Sequence, residues 1–270
     1  MVWSMALRDC KVVILCGGQG TRLKEETEFR PKPMVEVGGR PLLWHIMKIH
    51  AHQGCDQFVL ALGFKGHVIR DFFLNYRRQT ADLTIRYGHG DRADTVRLHT
   101  PSDIAGWQVT LAETGELTNT GGRIFRLRDY LRDGTFLMTY GDGVADVDLE
   151  ALLAHHRASG RLATVTGLQA QSRFGVLETD GQGGVERFRE KPLLDSWISG
   201  GFFVLEPQVL EYLSEDCVFE QEPLRRLAEE GQLSVHQHSG FWKSIDTYRE
   251  YLEINRMWDS GDRPWALWET

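Results

Sequence analysis

Three glycines and two cations within sixteen residues are the part of this chain best equipped for chemistry. Gly17, Gly18 and Gly20 follow an apolar, uncharged run at 12–16 that reads as a buried strand. Without side chains, the turn's backbone can approach a ligand, and its N–H groups can point at phosphate oxygens. Arg22 adds a fixed positive charge, and Lys32, inside Pro31-Lys32-Pro33, adds a second. Neither common phosphate loop is present. A P-loop requires Lys-Ser or Lys-Thr after its glycines, and the dinucleotide turn requires glycine where this chain has Leu23. An ordinary strand-to-helix glycine turn explains the glycines but not the cations beside them. The combination predicts a nucleoside-phosphate site.

Carboxylates supply the complementary chemistry. Asp142, in Tyr140-Gly141-Asp142-Gly143, follows an apolar segment and should emerge at the carboxyl end of a strand, where open α/β sheets bind ligands. A turn aspartate bonding its own backbone is the alternative. Asp246 stands just before a helical pattern, so a metal-binding role competes there with an N-cap. One or two carboxylates plus substrate phosphates are a usual way to hold Mg²⁺, and this pair suits it. Glu190-Lys191-Pro192 ends a strand and offers either a second phosphate cation or a solvated strand end. Asp146-Val147-Asp148 has the D-x-D form of metal-dependent glycosyltransferases, but a helix start explains it better. His236 and His238 share a strand face without a third ligand spaced to join them, which predicts edge-strand histidines. Trp258, Trp265 and Trp268 read as core or subunit interface.

These residues need a frame, and the chain's bulk properties fit one. The 270 residues are 41% hydrophobic and 26% charged, enough for one large globular domain. A net charge of −7 argues against non-specific nucleic-acid binding, so a polyanionic ligand must meet a local cluster of cations. Four cysteines without a C-x-x-C pair predict reduced thiols and a cytoplasmic protein. No stretch has membrane-spanning length, and no signal-peptide pattern is visible. Strand-like segments at 57–62, 84–87, 108–112, 135–140 and 162–168 alternate with helical ones at 41–52, 68–76, 123–131 and 149–158. That order implies an α/β fold, Rossmann-like, with a mixed, mostly parallel sheet flanked by helices. From about residue 170 the texture shifts to short strands (175–178, 185–190, 200–205) and two helices (220–230, 247–258). We therefore expect one domain over 9–270. Its nucleotide-binding core would span about 9–170, followed by a small C-terminal β/α subregion at 171–270. Residues 1–8 are expected to be a disordered extension.

With its motifs in place the chain resembles the sugar-1-phosphate nucleotidylyltransferases, a nucleotide-diphospho-sugar transferase fold. The general pattern is Gly17-Gly18-x-Gly20-Thr21-Arg22-Leu23, Pro31-Lys32-Pro33 and Glu190-Lys191-Pro192. Glu25-Glu26-Thr27, Leu43-Trp44-His45-Ile46-Met47-Lys48, Thr120-Gly121-Gly122-Arg123, Arg173-Phe174-Gly175 and Gly200-Gly201-Phe202-Phe203 resemble the subgroup that uses CTP and glucose 1-phosphate. The similarity runs in order from about residue 10 to the end.

The resemblance implies transfer of CMP from CTP to a sugar 1-phosphate, with Mg²⁺ as cofactor. Leu15, Cys16, Gly17, Gly18, Gln19, Gly20, Thr21 and Arg22 would wrap the nucleotide, with Lys32 at the reacting phosphate and Thr118, Arg123 and Gly141 in further contact. Asp142 and Asp246 would hold the metal. Arg173, Gly175, Glu190, Lys191, Ser199 and Gly200 would form the sugar-phosphate side, and a homo-oligomer, a hexamer, is implied. Alternatives in the same chemistry are UTP, dTTP or another sugar; one from a different class is a non-catalytic nucleotide-sugar-binding subunit. Two positions depart from the family pattern. Ser199 stands where asparagine is usual, and Lys243-Ser244-Ile245 replaces Gln-Pro-Met, adding a cation near Asp246.

Overall fold

The computed structural model describes residues 5–172 and 174–269, so the expectation for Arg173 lies outside the described residues, as do residues 1–4. Seven strands form the main sheet. In spatial order they are Leu233–His238, Ala163–Gln171, Leu193–Leu205, Phe136–Tyr140, Lys11–Leu15, Gln57–Leu62 and Gln108–Glu113. Every neighbouring pair is parallel except the two made by Leu193–Leu205, which runs antiparallel to both partners. The sheet is mixed and mostly parallel, as expected.

Alternation along the strands divides the core. Val12 and Ile14 face one side with the helix Leu42–His52, while Val13 and Leu15 face the other with Ile124, Phe136 and Phe203. Burial on both faces explains why the opening strand reads as a continuous apolar run and not an alternating one. From Lys11–Leu15 the chain moves outward in one direction through Gln57–Leu62 and Gln108–Glu113. It then returns to place Phe136–Tyr140 on the other side of the first strand. The carboxyl ends of Lys11–Leu15 and Phe136–Tyr140, in register at Leu15 and Tyr140, therefore flank a topological switch point.

Several elements differ from expectation for local reasons. The helix expected at 123–131 is two, Thr120–Arg126 and Arg128–Leu131, broken at Leu127, whose N–H bonds Ile124 O in the tighter three-residue pattern. Leu193–Leu205 starts well before residue 200 and absorbs register shifts against Ala163–Gln171. Met5–Arg8 forms one helical turn with Leu7 buried in the core, so the disorder expected through residue 8 does not reach these residues. Of the tryptophans of the C-terminal segment, Trp265 is buried in the core, and Trp258 and Trp268 are partly buried against it. Trp258, Trp265 and Trp268 surround the buried His45 with Trp44. His45 Nε2–H donates to Val37 O at 2.8 Å, and Nδ1 accepts from Trp265 Nε1 at 3.4 Å. Burial pushes its pKa down to about 4, so it is neutral.

Candidate active site

A cavity of about 380 Å³ opens at the switch point. Gly17, Gly18, Gly20, Thr21, Arg22, Lys32, Thr118, Arg123, Gly141, Asp142 and Asp246 line it, with Leu15 and Cys16 at its base. The loop's three glycines serve different ends. A Cβ on Gly17 would lie 2.0 Å from Arg123 Nη1, so this position is bare to admit a guanidinium. Gly20 has φ +62°, a left-handed conformation that glycine adopts freely. Gly18 has no atom within 4 Å of the corresponding point, leaving open space against its backbone.

Arg123, for which the resemblance implies a nucleotide contact, also supports the loop. It is 4% exposed, and its guanidinium donates to the carbonyls of Leu62, Gly115, Gly17 and Glu116 and to Thr114 Oγ1, at 2.7–3.2 Å. Those bonds tie the glycine loop to the ends of two neighbouring strands. The side chain borders the cavity and shapes it, while its charge is occupied by backbone oxygens. Further along, Thr27 Oγ1 donates to Leu23 O at 2.9 Å, and Lys65 Nζ donates to Thr27 O at 3.0 Å, closing the loop from outside.

Asp142 and Asp246 are 104 residues apart in sequence and adjacent in space. The strand Trp242–Ser244 pairs antiparallel with Gly143–Ala145, and Ile245 N–H donates to Asp142 O at 2.9 Å. That small ladder, unforeseen from sequence, delivers the second carboxylate. Asp246 is not the helix cap. Thr247 caps Tyr248–Ser260 in a reciprocal box with Glu250, which frees the Asp246 side chain. Lys32 rises from a 3₁₀ turn, Lys32–Met34, and its Nζ bridges the pair, 2.8 Å from Asp142 Oδ2 and 2.6 Å from Asp246 Oδ1. Arg22 Nη1 stands 4.0 Å from Asp246 Oδ2. Partial burial works to raise the Asp246 carboxyl, but Lys32 by hydrogen bond and charge, then Arg22, hold it below its ordinary value.

The donor set fits a hard divalent cation. Two carboxylate oxygens from different strand ends converge on one point beside a cavity able to take phosphates, and oxygen ligands with room for water are what Mg²⁺ uses. No group of three or more His, Cys, Asp or Glu suited to a metal occurs among the described residues. Asp146 and Asp148 are placed elsewhere. Asp148 caps the helix Leu149–Ser159 through Ala151 N–H, and Asp146 lies 3.0 Å from His238 on the edge strand.

The sugar-phosphate candidates are not all gathered here. Glu190 and Lys191 stand exposed at the end of a separate hairpin, Val176–Thr179 with Val185–Arg189, and Gly175 lies against Phe188 of that hairpin. Ser199 and Gly200 lie closer. Gly200 O accepts from Trp242 Nε1 at 2.7 Å, and Gly201, at φ +76°, sits over the Tyr140 ring. The Lys243 cation points away from Asp246. It pairs with Glu253 at 2.9 Å on the following helix, which corrects its expected place beside the carboxylates.

Sequence reasoning missed part of the wall: Pro33, Asn119, Thr120, Tyr140 and Val218 also line the cavity. Tyr140 O–H donates to Glu220, whose other oxygen accepts from Thr120 Oγ1 at 2.5 Å. Burial first, and then the Glu220 charge, push the Tyr140 phenol far above its ordinary pKa. Nothing local in the sequence marks Glu220, because its partners come from distant loops.

The chain is similar to known proteins in sequence and in fold. The model of the nucleotidyl transferase family matches residues 11–260. The chain is 46% identical over 260 residues to a "probable glucose-1-phosphate cytidylyltransferase" of Bacillus subtilis, covering 96% of this chain and all of that one. It is 44% identical over 262 residues to the glucose-1-phosphate cytidylyltransferase of Salmonella typhi, with the same coverage. Among solved structures, HddC from Yersinia pseudotuberculosis superposes with a TM-score of 0.65 at 21% identity, over 92% of this chain and 99% of that one, a likeness of fold.

Proposed function

This chain belongs to the nucleotidyl transferase family, and we propose that it transfers CMP from CTP to α-D-glucose 1-phosphate, releasing pyrophosphate. The carrying observation is the convergence of Lys32, Asp142, Asp246 and Arg22 at the mouth of a glycine-walled cavity, in a chain 44–46% identical over full length to glucose-1-phosphate cytidylyltransferases. Among the described residues no helix is long and apolar enough to cross a membrane.

The nucleophile is a phosphate oxygen of the sugar phosphate, already largely dianionic near neutral pH because the second pKa is about 6. It attacks the α-phosphorus of CTP, and the bond to the bridging oxygen of pyrophosphate breaks. No base is required. What the protein must supply is alignment and relief from the repulsion of several negative charges. The loop from Leu15 to Arg22 holds the nucleotide, Gly18 leaving its backbone open to phosphate and Arg123 fixing the loop's shape from behind. Lys32 meets the α-phosphate, and Arg22 the departing pyrophosphate. Asp142 and Asp246 would hold Mg²⁺, which when bound neutralises phosphate charge. On the sugar side, Glu190 would hydrogen-bond sugar hydroxyls and Lys191 would meet the sugar phosphate, and the family resemblance assigns Arg173, Gly175, Ser199 and Gly200 to the same substrate. We also infer a homo-oligomer. Exposed apolar side chains on and beside the hairpin, including Phe174, Leu177, Phe188 and Ile198, support a surface that is covered by another copy.

The test is pyrophosphate release from CTP, UTP, dTTP and GTP, each against glucose, mannose and galactose 1-phosphates, with Mg²⁺. CTP with glucose 1-phosphate should lead by at least tenfold in kcat/KM. A different leading pair overturns the substrate assignment, and no release with any pair overturns the enzymatic reading.

A further inference from the structure

Lys32 occupies the point at which the two aspartates converge. Its ammonium is within hydrogen-bond distance of both carboxylates, and its side chain is 11% exposed. A divalent cation held by the two oxygens that face this ammonium, Asp142 Oδ2 and Asp246 Oδ1, would have to displace it. Yet Lys32 also lines the cavity, with Arg22 and Arg123, beside the bare backbone of the glycine loop. Four methylenes and a compact charge let a lysine swing between partners without rearranging backbone.

Resting on the metal reading above, we propose that Lys32 is a resident counter-ion that keeps divalent metal off Asp142 and Asp246 until a nucleoside triphosphate draws it away. In the free protein one ammonium neutralises half of the pair's charge, and Arg22 screens more of it from 4.0 Å. Arrival of a polyanion gives the ammonium a better partner than either carboxylate and exposes two bare oxygens. Metal and nucleotide then favour each other by a single reciprocal coupling, and free metal is poorly retained. The same lysine thus acts as a placeholder before binding and as a phosphate ligand afterwards. A purely structural ion pair, merely pinning the Lys32–Met34 turn to residue 246, makes the opposite prediction. Removing it would loosen the aspartates and weaken metal binding.

The experiment is Mn²⁺ titration of the full chain, read by the electron paramagnetic resonance signal of free Mn²⁺, without nucleotide and with α,β-methylene-CTP. Lys32→Met and the milder Lys32→Gln should each bind Mn²⁺ without nucleotide at least tenfold more tightly than wild type. Lys32→Arg, which keeps the charge, should not. In the variants the analogue's enhancement of Mn²⁺ affinity should shrink by the same factor. Adding Asp142→Asn to Lys32→Met should abolish the gain. Circular dichroism confirms that each variant is folded, and Gln carries the test if Met is not. If neither neutral variant binds Mn²⁺ more tightly, while Asp142→Asn still weakens Mn²⁺ binding with the analogue, the placeholder idea fails and the metal reading stands. If Asp142→Asn changes Mn²⁺ binding under no condition, both are overturned.

Discussion

Gly17 and Gly18 are neighbours in one motif, yet the structure gives them opposite reasons to lack a side chain, and alanine at each should separate them. At Gly17 the added carbon would meet Arg123 Nη1 at 2.0 Å and Cζ at 2.2 Å, where ordinary contact begins near 3.4 Å. The guanidinium would have to retreat by about 1.4 Å, the difference between those two distances. A loose side chain could do so cheaply. This one is 4% exposed and held to five protein oxygens. If the shift forfeits two of those charged hydrogen bonds at about 1.5 kcal/mol each, Gly17→Ala costs about 3 kcal/mol. At about 2–4 °C per kcal/mol for a chain of this size, Tm falls by about 6–12 °C. Gly18→Ala meets open space, so stability should move by less than about 0.5 kcal/mol. Its methyl group would instead occupy room meant for phosphate, raising KM for CTP by about tenfold or more. Differential scanning calorimetry and steady-state kinetics on both variants make the comparison. Equal Tm losses, or a Gly18→Ala enzyme with unchanged KM, would show that the loop is one generic turn and refute the division of labour.

Asp142→Asn should lower kcat on the order of 10³-fold with Tm nearly unchanged, since Asp246 still pairs with Lys32; near wild-type turnover in a pyrophosphate-release assay would remove it from the metal role. Lys243→Gln should leave kcat/KM for CTP within about twofold, because its charge is spent on an exposed Glu253 and such pairs contribute about 0–1 kcal/mol. A large kinetic effect would mean that the cation does reach the carboxylates. Buried His45 and His50 have folded pKa values lowered to about 4 from 6.5, chiefly by burial. Between those values the unfolded chain binds more protons, so stability is lost as pH falls from about 6.5 towards 4, by up to about 3 kcal/mol per histidine. His50→Leu should flatten Tm against pH in that window, and an unchanged slope would count against the assignment.

How legible the molecule was depends on how far apart the interacting residues lie. The strand at 57–62 and the helix at 149–158 were readable because their signals are local: an apolar run in one, a capping Asp148 in the other. The phosphate loop was readable as a type for the same reason, since glycines and cations within sixteen residues need little else to suggest their chemistry. Its internal logic was not. Nothing at Gly17 announces that a guanidinium more than a hundred residues away must fit against it. Likewise Asp246 was indistinguishable from a cap until Thr247 was seen to fill that position and free its neighbour. The resemblance implies Arg123 as a ligand contact, and the structure adds five hydrogen bonds by which it supports the loop. Position in a motif transmits where a residue sits more faithfully than what its atoms face. Lys32 carries the same lesson further: a motif marks it as a phosphate cation, but only the structure shows it already engaged by both aspartates. A site of this kind is built from competing uses of the same few charges, and the competition is visible only in three dimensions.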